Sequence, residues 1–206
     1  AYHNLDIWQW ITGMPKRVRA FCKYGHYHSI TVEDDVTILA EYENKASALF
    51  ISSTGEYPGS NRIEFSGTKG KAVIEEGILK LYLSDKDERE VCFSSNESFP
   101  AMELNYEEFK QDGPENGHIA ILQNFTDAII HGKPLLAPGY EGIKGPTICN
   151  AAYISDWMDC WVDLPLDEEL YCRMLKEKQD KESLKLKNKI SDKPDNIYNE
   201  RWNVRW

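Results

Sequence analysis

Short segments of alternating side chains fill the first half of the chain, and they constrain its fold more than any other feature. Residues 16–24 and 35–42 alternate apolar and polar positions, which is the spacing of a half-buried β-strand. Further strands are predicted at residues 46–52, 61–66, 72–75, 78–83 and 91–93. The turns between most of these segments are too short for crossover helices, so the strands are expected to pair antiparallel.

A helical period replaces this alternation at the start of the chain and in its second half. The first helix is predicted over residues 3–13, with apolar positions at Leu5, Trp8 and Ile11 before Gly13. Later helices are predicted around residues 118–131 and 148–161, and from Asp167 to about residue 178. Residues 94–113 are expected to be an irregular loop with a short strand near residues 102–104.

Together these patterns predict an α+β fold: an open, mainly antiparallel β-sheet with helices packed on one face. Residues 1–178 are expected to form this domain, and residues 179–206 a charged linker and a tryptophan-rich tail. No two glycines stand in G-x-G spacing, and strands do not alternate with helices. The sequence therefore predicts no Rossmann domain and no P-loop in this chain.

Charge and cysteine content narrow the partners and the compartment. The net charge of −10 argues against nucleic acid and against an anionic membrane surface as partners. No apolar run approaches the length of a membrane span. The five cysteines form no C-x-x-C pair and lie within apolar patterns, which is typical of reduced thiols in a cytoplasmic protein.

Two polar groups are candidates for chemistry. His3 and Asp6 lie one helical turn apart, so the histidine could act as a general base or acid beside a carboxylate. The alternative is a histidine and an acidic residue that favour the start of a helix, and composition alone favours that alternative. Residues 26–28 hold two histidines ahead of Glu33, Asp34 and Asp35, but without a third ligand at fixed spacing a polar loop is the better prediction than a metal site.

Further polar residues could contact a polyhydroxylated ligand. Glu56, Tyr57, Asn61 and Arg62 surround a glycine-containing turn, and such groups can form several directional hydrogen bonds. An ordinary solvated turn is about as good an interpretation. His118 follows Asn116 and Gly117 at a helix start, where it could line a cleft or lie on the surface.

Three stretches resemble one protein family in order and spacing: residues 3–10 (HNLDIWQW), residues 53–67 (STGEYPG running into NRIE and Gly67) and residues 141–165 (EGIKG through NAAYIS to Leu-Pro). They resemble the C-terminal domain of the glucose–fructose oxidoreductase / inositol dehydrogenase / MocA (Gfo/Idh/MocA) oxidoreductases. The resemblance implies an open sheet with helices on one face that completes a substrate site and makes subunit contacts, while an N-terminal domain binds NAD or NADP. That domain is expected to lie outside this chain.

By position, His3 matches the catalytic histidine of the family and Asp6 the acidic residue one turn later. The resemblance implies an NAD(P)-dependent oxidoreductase acting on a sugar, cyclitol or related polyol, as a homo-oligomer, with this fragment inactive alone. The expected substrate contacts are Asp6, Glu56, Tyr57, Asn61, Arg62 and His118, and no metal is expected. An NAD-dependent glycoside hydrolase of the same fold and a stand-alone sugar-binding or assembly module remain alternatives.

Overall fold

A computed structural model describes residues 2–110 and 117–189 of the chain, with side chains through residue 183. The chain divides into two compact units: residues 1–55 with 137–206, and residues 56–136. We call them the first and the second unit and describe each by itself. The structure confirms the α+β class, but the strands form two four-stranded antiparallel sheets and not one.

The helices and strands follow the predicted order with a few differences. In the first unit they are α1 (Tyr2–Thr12), β1 (Arg17–Tyr24), β2 (Glu33–Glu41), β3 (Ser47–Ser53), a 3-10 helix (Gly139–Ile143), α4 (Lys144–Met158), β8 (Val162–Asp163) and α5 (Glu168–Lys189). In the second unit they are β4 (Arg62–Gly67), β5 (Gly70–Glu75), β6 (Ile78–Leu83), α2 (Glu88–Ser94), β7 (Asn105–Lys110) and α3 (Gly117–His131).

The core of the first unit lies between one face of its sheet and the helices α1 and α4. The sheet has the strand order β3-β2-β1-β8, and the strands β2 and β3 form a hairpin that pairs from Glu41 with Ser47 to Asp35 with Ser53. Alternate residues of β1 and β2 point into this core and are fully buried, as the sequence pattern predicts. The core residues are Leu5, Trp8, Val18, Ala20, Ile38, Ala40, Ile148, Ala151 and Ala152.

Side chains of α4 complete the free edge of β1 beyond the short strand β8. Ser155, which is fully buried, accepts a hydrogen bond from the backbone N–H of Ala20 at 2.9 Å. One residue later, an Asp156 carboxylate oxygen accepts from the backbone N–H of Cys22 at 2.8 Å. Because small residues let α4 approach this closely, two edge amides that β8 does not reach are satisfied by the helix.

The second unit is a meander with the strand order β4-β5-β6-β7 and little deep burial. Val73 is its one buried residue among those described, at 5% exposure. On the surface, Arg62 forms ion pairs with Glu64 at 2.5 Å and Glu75 at 2.8 Å, and Lys71 pairs with Glu64 at 2.6 Å. The Arg62–Glu75 and Lys71–Glu64 pairs join the neighbouring strands β4 and β5, whereas Arg62 and Glu64 both lie on β4.

Two predictions for the second unit are wrong. Val91–Phe93 is not a strand but part of the helix α2, because the Asp87 side chain caps the helix by accepting from the backbone N–H of Arg89. The short strand expected near residues 102–104 lies at Asn105–Lys110 instead, where it pairs with β6 from Leu83 to Ile78. All six residues of this edge strand are exposed, so its side chains carry no apolar alternation.

Two helices differ from the prediction in extent or surroundings. Helix α3 lies where the sequence places it, yet none of its residues is buried, and Leu122 and Ile129 are 67% and 71% exposed. Helix α5 begins after Asp167, whose side chain accepts from the backbone N–H of Leu170, and it runs past the predicted residue 178. The prediction that the domain ends at residue 178 stays a prediction. The tryptophan-rich tail lies outside the described residues. No helix in the described part of the chain is long and apolar enough to cross a membrane.

Candidate functional site

A cavity of about 230 Å³ in the first unit lies beside the start of α1. Its apolar floor consists of core side chains from α1, the sheet and α4: Leu5, Val36, Ile38, Phe50 and Ala152. Polar groups complete the lining, among them Tyr2, Glu33, Ser52, Thr54 and Tyr153. Cavities that hold drug-sized ligands measure roughly 300–1,000 Å³, so this one suits a smaller molecule.

A bulge in β2 shapes one wall of this cavity. Lys23 pairs with Asp35 and the next residue, Tyr24, pairs with Glu33, so Asp34 is an extra residue without a partner in β1. The bulge sets Glu33 on the side of the sheet that carries α4, where it lines the cavity together with Tyr153. Burial and the neighbouring Glu33 carboxylate raise the pKa of the Tyr153 hydroxyl, so it stays protonated and remains a donor at neutral pH.

The bulged residue Asp34 organises the loop that precedes β2. Its buried carboxylate accepts backbone N–H hydrogen bonds from His26 at 3.0 Å, Tyr27 at 2.7 Å and His28 at 3.0 Å. Burial opposes ionisation of this group, but the three donors outweigh it and lower the pKa of Asp34. Asp34 therefore keeps its negative charge and fixes the loop, and residues 25–30 form no strand.

The loop is held from a second side by the segment after β3. The Thr54 hydroxyl lies 3.1 Å from Nδ1 of His28. The ring of Tyr27 covers Gly55 so closely that an added Cβ would lie 2.4 Å from its nearest ring atom. A glycine is required here by the close approach of an aromatic ring and not by a turn.

Two cysteines also line the cavity, and both are neutral thiols. Burial, with a contribution from Asp156, raises the pKa of Cys22 to about 12. Burial likewise raises the pKa of Cys149. A thiol that stays protonated is a poor nucleophile, so these side chains contribute shape more than reactivity.

The structure places His3 in the first turn of α1, with its side chain exposed and between the cavity residues Tyr2 and Leu5 in sequence. Asp6 is also exposed, and one of its carboxylate oxygens accepts from Nε2 of Gln9 at 3.0 Å. Helix α1 approaches α4 closely here, since a Cβ on Gly145 would lie 2.9 Å from the Tyr2 hydroxyl. The predicted helix and the shared position of His3 and Asp6 on it are confirmed, whereas their roles stay predictions.

The other predicted contacts lie in the second unit. Glu56, Tyr57 and Asn61 are exposed around the turn before β4, and Tyr57 is fully exposed. Arg62 begins β4 and is engaged in the two ion pairs described above; it also borders a wider cavity of about 560 Å³ in that unit. His118 is an exposed residue in the first turn of α3.

Several cavity residues are absent from the set that the sequence points to. Glu33 is noted there only as part of an acidic run, and Tyr153 only as part of the NAAYIS stretch. Among the described residues, no group of three or more His, Cys, Asp or Glu side chains is placed to hold a metal ion. The predicted loop at residues 26–28 is confirmed.

Comparison with known families gives one match, over residues 1–73, to the family model described as the GFO/IDH/MocA C-terminal domain. The resemblance to this family is confirmed. The matched segment contains α1 with His3, the bulged strand β2 and the turn at residues 56–62. No curated protein matches the sequence.

Solved structures of oxidoreductases and dehydrogenases share the fold. An NAD-binding oxidoreductase from Klebsiella pneumoniae matches with a TM-score of 0.62 and 14% identity, over 81% of this chain and 49% of that one. Levoglucosan dehydrogenase in complex with NADH and levoglucosan matches at 0.61 and 18%, over 80% and 49%. The WlbA dehydrogenase from Bordetella pertussis, in complex with NADH and UDP-GlcNAcA, matches at 0.53 and 18%, over 81% and 44%. This chain thus spans about half the length of the solved structures that it matches.

Proposed function

We propose that this chain is the substrate-binding and oligomerisation part of an NAD(P)-dependent oxidoreductase that acts on a sugar, cyclitol or related polyol. One observation carries the proposal: the family match covers α1, and this helix places His3 between two residues that line a small cavity with hydroxyl and carboxylate groups. Cavities with an apolar floor and a few convergent polar groups are where small ligands bind.

In this proposal His3 is the catalytic residue and accepts the proton of the substrate hydroxyl as the neighbouring carbon is oxidised. Asp6, one turn further along α1, favours the protonated imidazole that results. The proposed contacts to the hydroxyl groups of the substrate are Asp6, Glu56, Tyr57, Asn61, Arg62 and His118. Removal of one hydroxyl proton needs only one base, and the His3 side chain is exposed and therefore accessible to a substrate.

The described residues do not fit a dinucleotide. Both sheets are antiparallel, so no strand–helix–strand crossover with a glycine-rich turn is available to hold a pyrophosphate. We therefore assign NAD or NADP to a domain outside this chain and no step of the reaction to the nucleotide. In the intact enzyme the nicotinamide supplies the acceptor for hydride.

The test replaces His3 with alanine in the protein encoded by the whole reading frame that contains these residues. Reduced nicotinamide is measured by its absorbance with a panel of neutral sugars and cyclitols. We expect the turnover number to fall by roughly 100-fold or more, the usual contribution of a general base, while nucleotide affinity changes little.

A matched control is His131→Ala, which removes an exposed histidine at the end of another helix, α3. It should leave turnover within about twofold, as substitutions away from a site do. Equal losses of turnover and nucleotide affinity in His3→Ala would show that His3 supports the structure and not the chemistry.

Two alternatives predict different outcomes. An NAD-dependent glycoside hydrolase would release the leaving group from nitrophenyl glycosides without net formation of reduced nicotinamide. A stand-alone module would bind a sugar tightly with no nucleotide present, which calorimetry on the 206-residue chain measures directly.

We also propose that the face of the first sheet opposite the core forms a homo-oligomer contact. Phe21, Leu49 and Ile51 on this face are 55%, 61% and 61% exposed, an apolar patch of the kind that subunit interfaces cover. Replacement of Leu49 by glutamate should lower the oligomer's apparent mass in light scattering. A cytoplasmic location is proposed from the five cysteines without a C-x-x-C pair.

A further inference from the structure

The charge of the first-unit cavity limits which polyols it can hold. Its lining contains the carboxylate-bearing residues Glu33, Asp34 and Asp35 but no lysine, arginine or histidine. The surroundings of these three carboxylates differ, and that difference decides which of them a ligand would meet as an uncompensated charge.

Asp34 and Asp35 are each offset by a neighbour. Asp34 is held by three backbone N–H donors, and Nδ1 of His28 lies 3.5 Å from it. Asp35 pairs with the ammonium group of Lys23 at 3.5 Å and also lies within 3.4 Å of the Tyr27 hydroxyl. Their charges are therefore partly satisfied within the fold.

Glu33 has no such cation. It lines the cavity with the neutral hydroxyl of Tyr153, and no lysine, arginine or histidine in the described part of the chain forms an ion pair with it. The bulge at Asp34 sets this carboxylate on the same side as α4, against the apolar floor that Ile38 and Ala152 contribute. Near such a surface water screens a charge less than it does in bulk solution.

We propose that the cavity selects neutral or amino-bearing polyols and rejects the corresponding acidic sugars, with Glu33 as the residue that determines this specificity. This inference rests on the proposed function, because it assumes that the ligand is polyhydroxylated. A carboxylate on the ligand would meet Glu33 with no cation to balance the two charges, which is the repulsive element that specificity uses. Hydroxyl and ammonium groups can instead donate hydrogen bonds to it.

The test compares three ligands that share one ring: glucose, glucosamine and glucuronate. Dissociation constants for the 206-residue chain are measured by ligand-observed NMR at low ionic strength. We expect glucuronate to bind at least about tenfold more weakly than glucose, as for like charges several ångströms apart near a protein surface, and added salt to narrow the gap.

The variant Glu33→Gln keeps the size of the side chain and an acceptor for Tyr153 but removes the charge. It should bring glucuronate to within about threefold of glucose, whatever change the lost carboxylate makes to glucose binding itself. Its matched control is Glu43→Gln, which makes the same change in net charge at an exposed turn of the same unit, outside the cavity lining. That control should keep the full preference against glucuronate.

Three outcomes would overturn the inference: no measurable binding of any of the three sugars, equal binding of glucose and glucuronate, or a preference that survives in Glu33→Gln. The reaction itself is tested apart, by nicotinamide reduction in the intact enzyme. A protein with the expected binding order but no such activity would refute the proposed reaction and still support the charge selection.

Discussion

Replacement of Ser155 by alanine tests how far the first unit depends on the contact between α4 and the edge of β1. The Ser155 hydroxyl oxygen accepts from the backbone N–H of Ala20 at 2.9 Å and donates to the carbonyl of Cys160 at 2.6 Å. Both Ser155 and Ala20 are fully buried, so water cannot replace the lost acceptor. The substitution removes one oxygen atom and creates almost no cavity.

The magnitude follows from which groups lose their partners. The Cys160 carbonyl keeps a hydrogen bond from Nη1 of Arg19 at 3.2 Å, so it remains satisfied. The Ala20 amide loses the Ser155 acceptor, and a buried donor left without a partner costs about 1–3 kcal/mol. We expect a loss of about 2 kcal/mol in the free energy of unfolding of this unit, which corresponds to roughly 4–8 °C in melting temperature.

Tryptophan fluorescence during denaturation measures this unit selectively, because residues 56–136 contain no tryptophan. The control is Ser94→Ala in the second unit, whose exposed hydroxyl donates to the Glu90 carbonyl at 2.7 Å. Its effect is followed by circular dichroism, because tryptophan fluorescence does not report on that unit, and should stay within about 0.5 kcal/mol. If Ser155→Ala costs no more than Ser94→Ala, the account of the helix as the partner of the β1 edge is wrong.

The two remaining predictions concern the second unit and are measured by circular dichroism. Gly70→Ala should destabilise it by about 2 kcal/mol or more, because Gly70 has a φ of 144° and an added Cβ would lie 2.1 Å from the carbonyl oxygen of Tyr82. The control Gly67→Ala should be tolerated, because an added Cβ there meets nothing closer than 4.0 Å. Hydrogen bonds from Lys71 and Arg62 lower the pKa of Glu64 to about 2 from its ordinary value near 4.5. These bonds therefore stabilise the unit at neutral pH, and their contribution is lost as the pH falls from about 4.5 through about 2. Lys71→Met should make the acid unfolding curve less steep in this range, and an unchanged curve would contradict the assignment.

Much of the fold was predictable because each helix or strand carries its own period of apolar residues in the sequence. Side chains of β1 and β2 alternate with period two, and α1 and α4 repeat with the helical period, so each element reports its own buried face. Helix α3 is a different case, since its apolar stripe correctly predicts a helix but its exposed side chains show that the pattern says nothing of what covers it.

The errors have physical reasons that differ from element to element. Strand β7 is defined by pairing with β6, and its exposed side chains give no period to detect. Strand β8 has only two residues, held by pairing with Arg17 and Val18. Helix α2 was within reach of the sequence, because Asp87 followed by Glu88 and Glu90 is an acidic helix start that outweighs the β-propensity of Val91–Phe93.

The site could not have been predicted from the sequence in the same way. A strict alternation through β2 would set Glu33 and Asp35 on one face and Asp34 on the other. The unpaired Asp34 breaks this register, so Glu33 meets Tyr153 on α4 while Asp35 pairs with Lys23. Three consecutive carboxylates thereby take three different partners, and a run that reads as one acidic cluster becomes a loop anchor, a surface ion pair and a charged wall of a cavity.

The different roles of these three carboxylates also explain how the loop at residues 25–30, which has few apolar contacts, keeps a fixed conformation. The loop at residues 25–30 buries few apolar groups, and its backbone amides need acceptors that the backbone carbonyls of β1 and β2 do not supply. The Asp34 carboxylate provides them at a single point, since an ionised acceptor with several N–H donors is stronger than neutral pairs. Because the same extra residue both anchors this loop and sets the position of Glu33, the order of the loop and the charge of the cavity are consequences of one feature of the backbone.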